Sequence, residues 1–208
     1  MTHDDAVIIS PPARPLRGEP VFVPRATTVV VVAALGVCVL VNAALLADRL
    51  LLDRAAAGSD AALVRKDQVV TLTGLSHVAF VLTGVVFLRW LWQMRVNAEA
   101  LAPGGHRMRR GWTTGAWLIP LAGFVLPKRI INDIWAASSP PGRPRRTSVL
   151  LTSWWLLFVA AQLLASPTAT GDPAATETAG AALWVLAGAL CIGVVLRLAS
   201  MQRTRLRG

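Results

Sequence analysis

The sequence predicts an all-α integral membrane protein: a helical bundle of four transmembrane helices plus a proline-broken hairpin, re-entrant or interfacial, on the cytoplasmic side. Two observations predict this class. Hydrophobic residues make up 54% of the 208 residues and charged residues only 15%, whereas soluble domains average about 25% charged residues. The apolar residues also form four stretches without charged side chains, at 27–47, 69–88, 147–165 and 179–196. As a helix, each stretch covers about 30 Å, the thickness of a bilayer core.

The two ends of the chain are predicted to lie outside the four-span membrane domain of residues 27–199. Residues 1–26 are polar and proline-rich, and the segment SPPARP at 10–15 favours extended backbone, so we expect a disordered cytoplasmic tail. Residues 200–208 are expected to form a short basic cytoplasmic tail. The first apolar stretch is too long for the core of a signal peptide, so we expect it to remain as an anchor.

A fifth apolar stretch, 112–126, decides the predicted topology, because its 15 residues are few for a full crossing. If it does not cross, 17 Lys and Arg residues lie on the side of both termini and four on the other. If it crosses, eight lie on the side of the N-terminus and 13 on the opposite side, together with the C-terminus. Cytoplasmic segments carry the excess of Lys and Arg, so the first arrangement is favoured. Both termini of this multi-pass protein of the cell (plasma) membrane are then cytoplasmic. The net charge of +10 is expected to face the anionic headgroups of the lipid bilayer, with no nucleic acid as partner.

The fifth stretch opens a predicted hairpin at 112–138, whose backbone is interrupted by two prolines. Pro120 removes a backbone donor and ends a first half-helix, while Pro127 suits the first turn of a second helix. Irregular backbone at membrane depth must be covered by protein or line a wet cavity, so we expect the break to pack inside the bundle. The sequence leaves open whether the hairpin dips into the membrane or lies along its surface.

The second half of this hairpin is predicted to be an amphipathic interfacial helix. Its apolar face carries isoleucines and Trp135, and its polar face carries Asn132 and Asp133. Because Arg129 and Asp133 are four residues apart, we expect them to form an ion pair on the polar face.

The helix of the second span is predicted to continue beyond the membrane to Leu101, because no helix breaker precedes Pro103. Arg95 and Glu99 are four residues apart in this extension and are expected to pair. Trp90 lies where an interfacial belt of aromatic anchors is expected.

The segment 95–138 carries a distinctive pattern: R-x-N-x-x-x-L at the end of a helix, then Gly-Trp, then Trp-x-x-Pro, then a proline that opens a helix ending in W-x-x-S. The matching residues are Arg95, Asn97, Leu101, Gly111, Trp112, Trp117, Pro120, Pro127, Trp135 and Ser138. On these residues the chain resembles the actinobacterial membrane family known as domain of unknown function 4328. The resemblance implies a multi-span membrane protein, and it implies nothing catalytic.

One histidine, His77, lies within a predicted span, and an intramembrane ionisable residue is a functional candidate. The alternative is a neutral histidine that bonds to Asn42, Gln162 or a carbonyl and holds helices together. We favour this alternative because no acidic residue lies in any span. The sequence contains no HExxH, G-x-S-x-G or phosphate-loop motif, so we predict no catalytic residue, cofactor or metal site.

Three functions stay open on the sequence alone. The favoured one is a non-enzymatic scaffold, regulator or subunit that presents its hairpin to a membrane or cytoplasmic protein partner. The alternatives are a small transporter or channel with a site at the broken helix, and an inner-leaflet enzyme that acts on lipid. The candidate functional or hairpin residues are His77, Arg95, Asn97, Glu99, His106, Trp112, Trp117, Pro120, Pro127, Asn132, Asp133 and Trp135.

Overall fold

The structure, a computed structural model, describes residues 25–56, 58–119, 122–140, 148–165 and 172–207. Within these residues the chain is helical and contains no β-strand, which confirms the predicted all-α class. The expected tail at 1–26 lies outside the described residues except for its last two, which begin the first helix. Pro120 also lies outside the described residues.

The described chain forms six α-helices and one short 3₁₀ helix. In chain order these are α1 (Arg25–Arg54), α2 (Asp60–Leu101), α3 (Trp112–Gly115), the 3₁₀ helix (Ala122–Phe124), α4 (Leu126–Ser138), α5 (Val149–Leu164) and α6 (Pro173–Arg207).

Three helices, α1, α2 and α6, are long and apolar enough to cross a membrane. The four predicted spans correspond to α1, α2, α5 and α6. However, α5 has 16 residues and covers about 24 Å, less than the roughly 30 Å of a bilayer core. Three candidate spans are therefore established, and the count of four stays a prediction.

α2 is the longest helix, and its ends follow local signals. The side chain of Ser59 caps its first turn by accepting a hydrogen bond from the backbone N–H of Ala62, at 3.2 Å. The helix ends at Leu101, as predicted, and the chain then turns through Gly104 with a φ of 79°, which glycine adopts without strain. Its 42 residues extend over about 63 Å, so a large part of α2 projects beyond any bilayer.

α1 packs along both α2 and α6, and α5 packs along α6. At the end where α1 leads into α2, ion pairs join the three long helices: Arg49 pairs with Glu177 of α6, and Asp48 pairs with Arg65 of α2. At the opposite end, α4 lies against α2 and α6. We call this second end the platform, defined as the described part of residues 90–140 together with residues 194–207.

Most of the largest fully buried side chains belong to the platform; its apolar members are Trp90, Leu91, Met94, Ile130, Ile131, Ile134, Val194 and Leu198. In contrast, many large apolar side chains of α1 and α2 outside the platform are exposed. The best-packed core of the described chain therefore lies at one end of α2 and α6, where α4 packs against them, and it surrounds most of the candidate residues.

Candidate functional site

Arg95 is the central charge of the platform, and only 2% of it is exposed. Its Nε donates to Oε1 of Glu99 at 2.8 Å, which confirms the predicted pair, and its Nη2 donates to the carbonyl of Met108 at 2.7 Å. The other carboxylate oxygen of Glu99 accepts from Nη2 and Nε of Arg110, at 2.6 and 3.0 Å. One glutamate thus joins two arginines and connects α2 to the loop that precedes α3.

Two opposing effects set the protonation of Glu99. Burial disfavours its charged form, but the hydrogen bonds and charges of Arg110 and Arg95 outweigh burial, so the pKa of Glu99 lies below its ordinary value of 4.5. The carboxylate therefore stays ionised near neutral pH, and its two oxygens are occupied by arginine.

A second network, without charges, joins α2, α4 and α6. The side-chain amide of Asn97 donates to Oε1 of Gln202 at 3.0 Å. The amide of Gln202 donates to the Met94 carbonyl at 2.9 Å and to the Ser138 hydroxyl at 3.0 Å, and that hydroxyl donates to the Ile134 carbonyl. Asn97 thus acts as an interhelical connector. Gln202 lies within residues 200–208, which the sequence assigned to a separate tail, whereas α6 continues through Arg207.

Asp133 is buried in the platform and pairs with the preceding loop. Its carboxylate accepts from the backbone N–H of Arg107 at 3.2 Å, and Nε of Arg107 lies 3.7 Å from its other oxygen. The predicted Arg129–Asp133 pair is therefore wrong. Residues 130, 133, 134 and 137 share one stripe of α4 and are all buried, so Asp133 faces inward while Arg129 is exposed.

His106 is half-buried and lies close enough to Glu99 and Asp133 to be affected by their charges. Burial and the positive charge of Arg95 outweigh the opposite influence of the Ala98 carbonyl, Glu99 and Asp133, so the pKa of His106 lies below its ordinary value of 6.5. Neither ring nitrogen meets hydrogen-bond geometry with a partner, although the Ala98 carbonyl is close enough to affect its titration. The imidazole is therefore neutral at pH 7, and both of its nitrogens are buried.

Asn132 lies on the other face of α4, where it accepts from Nζ of Lys128 at 3.2 Å. The same ammonium donates to the hydroxyl of Thr152 on α5, also at 3.2 Å. Pro127 is buried in the first turn of α4, where its missing N–H costs nothing.

The hairpin is anchored by Trp117, which packs its ring among aromatic side chains of α2 and α5. The ring centroid of Trp117 lies 5.9 Å from Phe87, 5.8 Å from Trp155 and 6.1 Å from Phe158. The indole N–H of Trp155 donates to the carbonyl of Phe124 at 3.2 Å, which fastens the hairpin to α5. Trp117 thus holds the described part of the hairpin against α2 and α5, while Leu118 and Val125 of the same hairpin stay exposed.

Three other tryptophans differ in exposure. Trp135 is buried, and Trp112 is 40% exposed. Trp90, expected among interfacial anchors, is buried instead and donates to the Thr28 hydroxyl of α1 at 3.3 Å. Trp112 therefore offers an aromatic surface that the packing of the platform does not use.

His77 lies far from the platform in sequence and is exposed on α2. Its Nδ1 lies 2.7 Å from the Thr73 carbonyl of its own helix, so it satisfies a ring nitrogen without joining two helices. Asn42 fulfils the expected joining role, because its Oδ1 accepts from the Ser76 hydroxyl of α2 at 3.1 Å.

Two shallow grooves open on the surface of the platform and extend past its edge. One, of about 540 Å³, lies between α4, α5 and α6; the other, of about 370 Å³, is lined by Leu88, Arg89, Trp92 and Thr114. Neither groove is lined by His77, Asn97 or Asp133. Within the described ranges, no three His, Cys, Asp or Glu side chains come together as a metal site would require.

Sequence reasoning missed Gln202 and Arg205. Arg205 donates to the carbonyls of Ser139 and Leu101 and so covers the ends of α4 and α2, a common role for a basic residue near exposed carbonyls. Their sequence context, MQRTRLRG, has the polar, basic composition of a tail, and nothing local in it indicates burial.

These features define an all-helical protein in which three helices can span a membrane and an internally paired polar platform lies at one end. The model of the family described as domain of unknown function (DUF4328) matches residues 53–203, and the chain belongs to that family. The match includes the described platform up to residue 203. No curated protein and no solved structure matches the chain.

Proposed function

We propose that this protein is a non-enzymatic integral membrane protein that holds the platform at the cytoplasmic face of the cell membrane, where it serves as a scaffold, regulator or subunit for a protein partner. The orientation is supported by the distribution of Lys and Arg, because most of them lie on the side of the platform.

Membrane insertion is supported by the outer surface of the long helices. Val29, Leu40, Val70, Leu82 and Val85 each expose more than half of their surface. Contiguous apolar surface of this kind is rare on monomeric soluble proteins, and lipid would cover it.

One observation carries the proposal of a non-catalytic role. The buried polar side chains Arg95, Asn97 and Asp133 at the centre of the platform each have a partner within it, namely Glu99, Gln202 and Arg107. Such pairing gives the platform a defined shape, whereas catalysis requires groups that face a substrate site.

The surface that a partner would contact includes Trp112. It is partly exposed at the start of α3, and the arginine at 109 beside it is exposed as well. Tryptophan and arginine are enriched among the residues that dominate binding energy at protein interfaces. We therefore place the partner contact on this corner of the platform.

The experiment is affinity capture of the tagged full chain from membranes of its own host in mild detergent. We expect a protein that co-purifies in stoichiometric amount and is lost with Trp112→Ala. Trp135→Ala is unsuitable for this test, since Trp135 is buried and its truncation would disturb the fold.

Leu118→Ala is the matched control, because Leu118 belongs to the same hairpin and is 81% exposed. Retention of the partner in both variants would place the contact elsewhere and contradict the assignment of Trp112. Absence of any stoichiometric partner from wild-type membranes would contradict the scaffold itself.

A second candidate function, an enzyme that acts on lipid at the same surface, is favoured by His106. Its neutral imidazole lies near Glu99 and Asp133, and such a group can transfer protons. In vesicles that contain the purified protein, lipid turnover abolished by His106→Gln and retained by His77→Gln would support this function over the scaffold.

A further inference from the structure

We infer that the groove between α4, α5 and α6 binds the headgroup and upper acyl chain of one anionic phospholipid from the adjoining leaflet. This inference requires membrane insertion but not a protein partner, so the platform could lose its proposed role without affecting it.

The groove changes from apolar to polar along one face of α6. Gly193, Leu196, Arg197 and Ser200 line it, and their spacing of three, four and seven residues places them on the same face of the helix. From Gly193 to Ser200 the helix rises about 10 Å. A phospholipid in a bilayer leaflet shows the same change along its length, from methylene groups to phosphate, over a comparable depth.

The remaining walls of the groove also offer both apolar and polar groups. Leu150, in the first turn of α5, adds apolar surface, while Ser148 adds a hydroxyl just before that helix begins. Trp135 closes the α4 side and has an indole ring, which is favoured at membrane interfaces. A phosphate oxygen would thus meet hydroxyl donors beside a guanidinium, and an acyl chain would meet the leucines.

Charge selects the class of lipid. Arg197 is exposed, and within the described ranges it forms no ion pair or hydrogen bond. The described lining of the groove contains no acidic residue. A guanidinium pairs with phosphate through two parallel hydrogen bonds. The ammonium of a zwitterionic headgroup would bring a second positive charge beside Arg197, whereas phosphatidylglycerol would not, so an anionic lipid is preferred.

The size and shape of the groove also fit this occupant. Its volume of about 540 Å³ lies within the range of roughly 300–1,000 Å³ that small-ligand sites have. Because the groove is open on one side, a lipid can place its headgroup there while the rest of its chains stay in the bilayer.

The test is native mass spectrometry of the delipidated full chain with phosphatidylglycerol or phosphatidylcholine added. We expect one phosphatidylglycerol to bind preferentially. Arg197→Gln should weaken that binding about tenfold or more, the loss expected for a hydrogen bond to a charged group. Ser200→Glu, at an exposed helical position, should have a similar effect because it places a negative charge against the phosphate.

Arg129→Gln is the matched control, since it removes the same charge from an exposed position outside the groove. An equal loss in Arg129→Gln would overturn the site in favour of diffuse attraction, and equal binding of phosphatidylcholine would overturn the anionic selectivity. Displacement of the lipid by inorganic phosphate or glycerol phosphate would overturn the lipid as ligand. Phosphatidylglycerol with brominated acyl chains should quench the tryptophan fluorescence of the protein. Weaker quenching in Trp135→Phe would support the placement of the lipid beside Trp135.

Discussion

The side-chain amide of Asn97 on α2 donates a hydrogen bond to the side-chain carbonyl of Gln202 on α6, 3.0 Å away and 105 residues later in the chain. Asn97 is 2% exposed and Gln202 is fully buried. Because Gln202 also donates to the Met94 carbonyl and the Ser138 hydroxyl, one side chain connects α2, α4 and α6. The platform therefore depends on the last turns of α6.

Gln202→Ala should destabilise the protein by about 2–3 kcal/mol, because a buried polar group loses its partner and the truncation leaves a cavity. The measurement is the free energy of unfolding in mixed detergent micelles. Gln68→Ala is the control, because Gln68 is exposed on α2 and such changes usually alter stability by less than about 0.5 kcal/mol. Equal losses in the two variants would mean that the network contributes no stability.

The parts of the fold that depend on local sequence were predictable. Long uncharged stretches predict helices, Pro103 limits α2, and four-residue spacing predicts the Arg95–Glu99 pair, because each of these effects acts within a few residues. The same spacing rule failed for Arg129 and Asp133. Asp133 lies on the stripe of α4 that faces the core, and its partner comes from a loop 26 residues earlier.

The partners of Asn97 and Trp117 could not be predicted for a related reason. Asn97 was identified from its place in a motif, but its partner Gln202 lies in a polar segment that resembles a tail. Trp117 was identified as part of the hairpin, yet its ring contacts belong to α2 and α5. Contacts between distant segments depend on how helices pack, and one sequence carries no direct record of that packing.

The two neighbouring indoles of Trp117 and Trp155 allow a hydrogen bond to be measured. The N–H of Trp155 donates to the Phe124 carbonyl, whereas the N–H of Trp117 is buried without a partner. Trp→Phe removes the same atoms at each position, so Trp155→Phe should cost about 1 kcal/mol more than Trp117→Phe. Thermal unfolding in detergent measures the difference, and a larger cost for Trp117→Phe would show that its N–H has a partner.

Close packing of α1 against α6 occurs at Gly188. A Cβ atom added there would lie 2.6 Å from Cγ2 of Val39, closer than real contacts allow, and the short branched side chain of Val39 has little freedom to move away. Gly188→Ala should therefore lower the melting temperature, with a cost of roughly 1–3 kcal/mol for overpacking. Gly188→Ala combined with Val39→Ala should recover most of this loss.

Gly84→Ala is the control for Gly188, since nothing lies within 4 Å of a Cβ added at Gly84. In the middle of a helix this change should be neutral or stabilising, because alanine favours helix more than glycine does. A loss at Gly84 as large as that at Gly188 would attribute the effect to glycine itself rather than to the contact between α1 and α6.

The stability of the platform should decrease in acid, first through His106 and then through Glu99. Folding lowers the pKa of His106 below its ordinary 6.5 and the pKa of Glu99 below its ordinary 4.5. The unfolded chain therefore binds protons more readily than the folded chain does. For His106, the stabilisation is complete above the unfolded pKa, near 6.5, and is lost as the pH falls through the lower folded pKa. The loss from Glu99 follows below about pH 4.5 by the same linkage.

The measurement is the melting temperature of the purified chain between about pH 7.5 and 5.5, the range in which histidine titrates and the carboxylates stay ionised. The wild-type melting temperature should decrease as the pH is lowered. His106→Gln should make that decrease smaller, because glutamine does not titrate. An undiminished decrease in His106→Gln would contradict the assignment, because the platform would then not contain the group that senses acid.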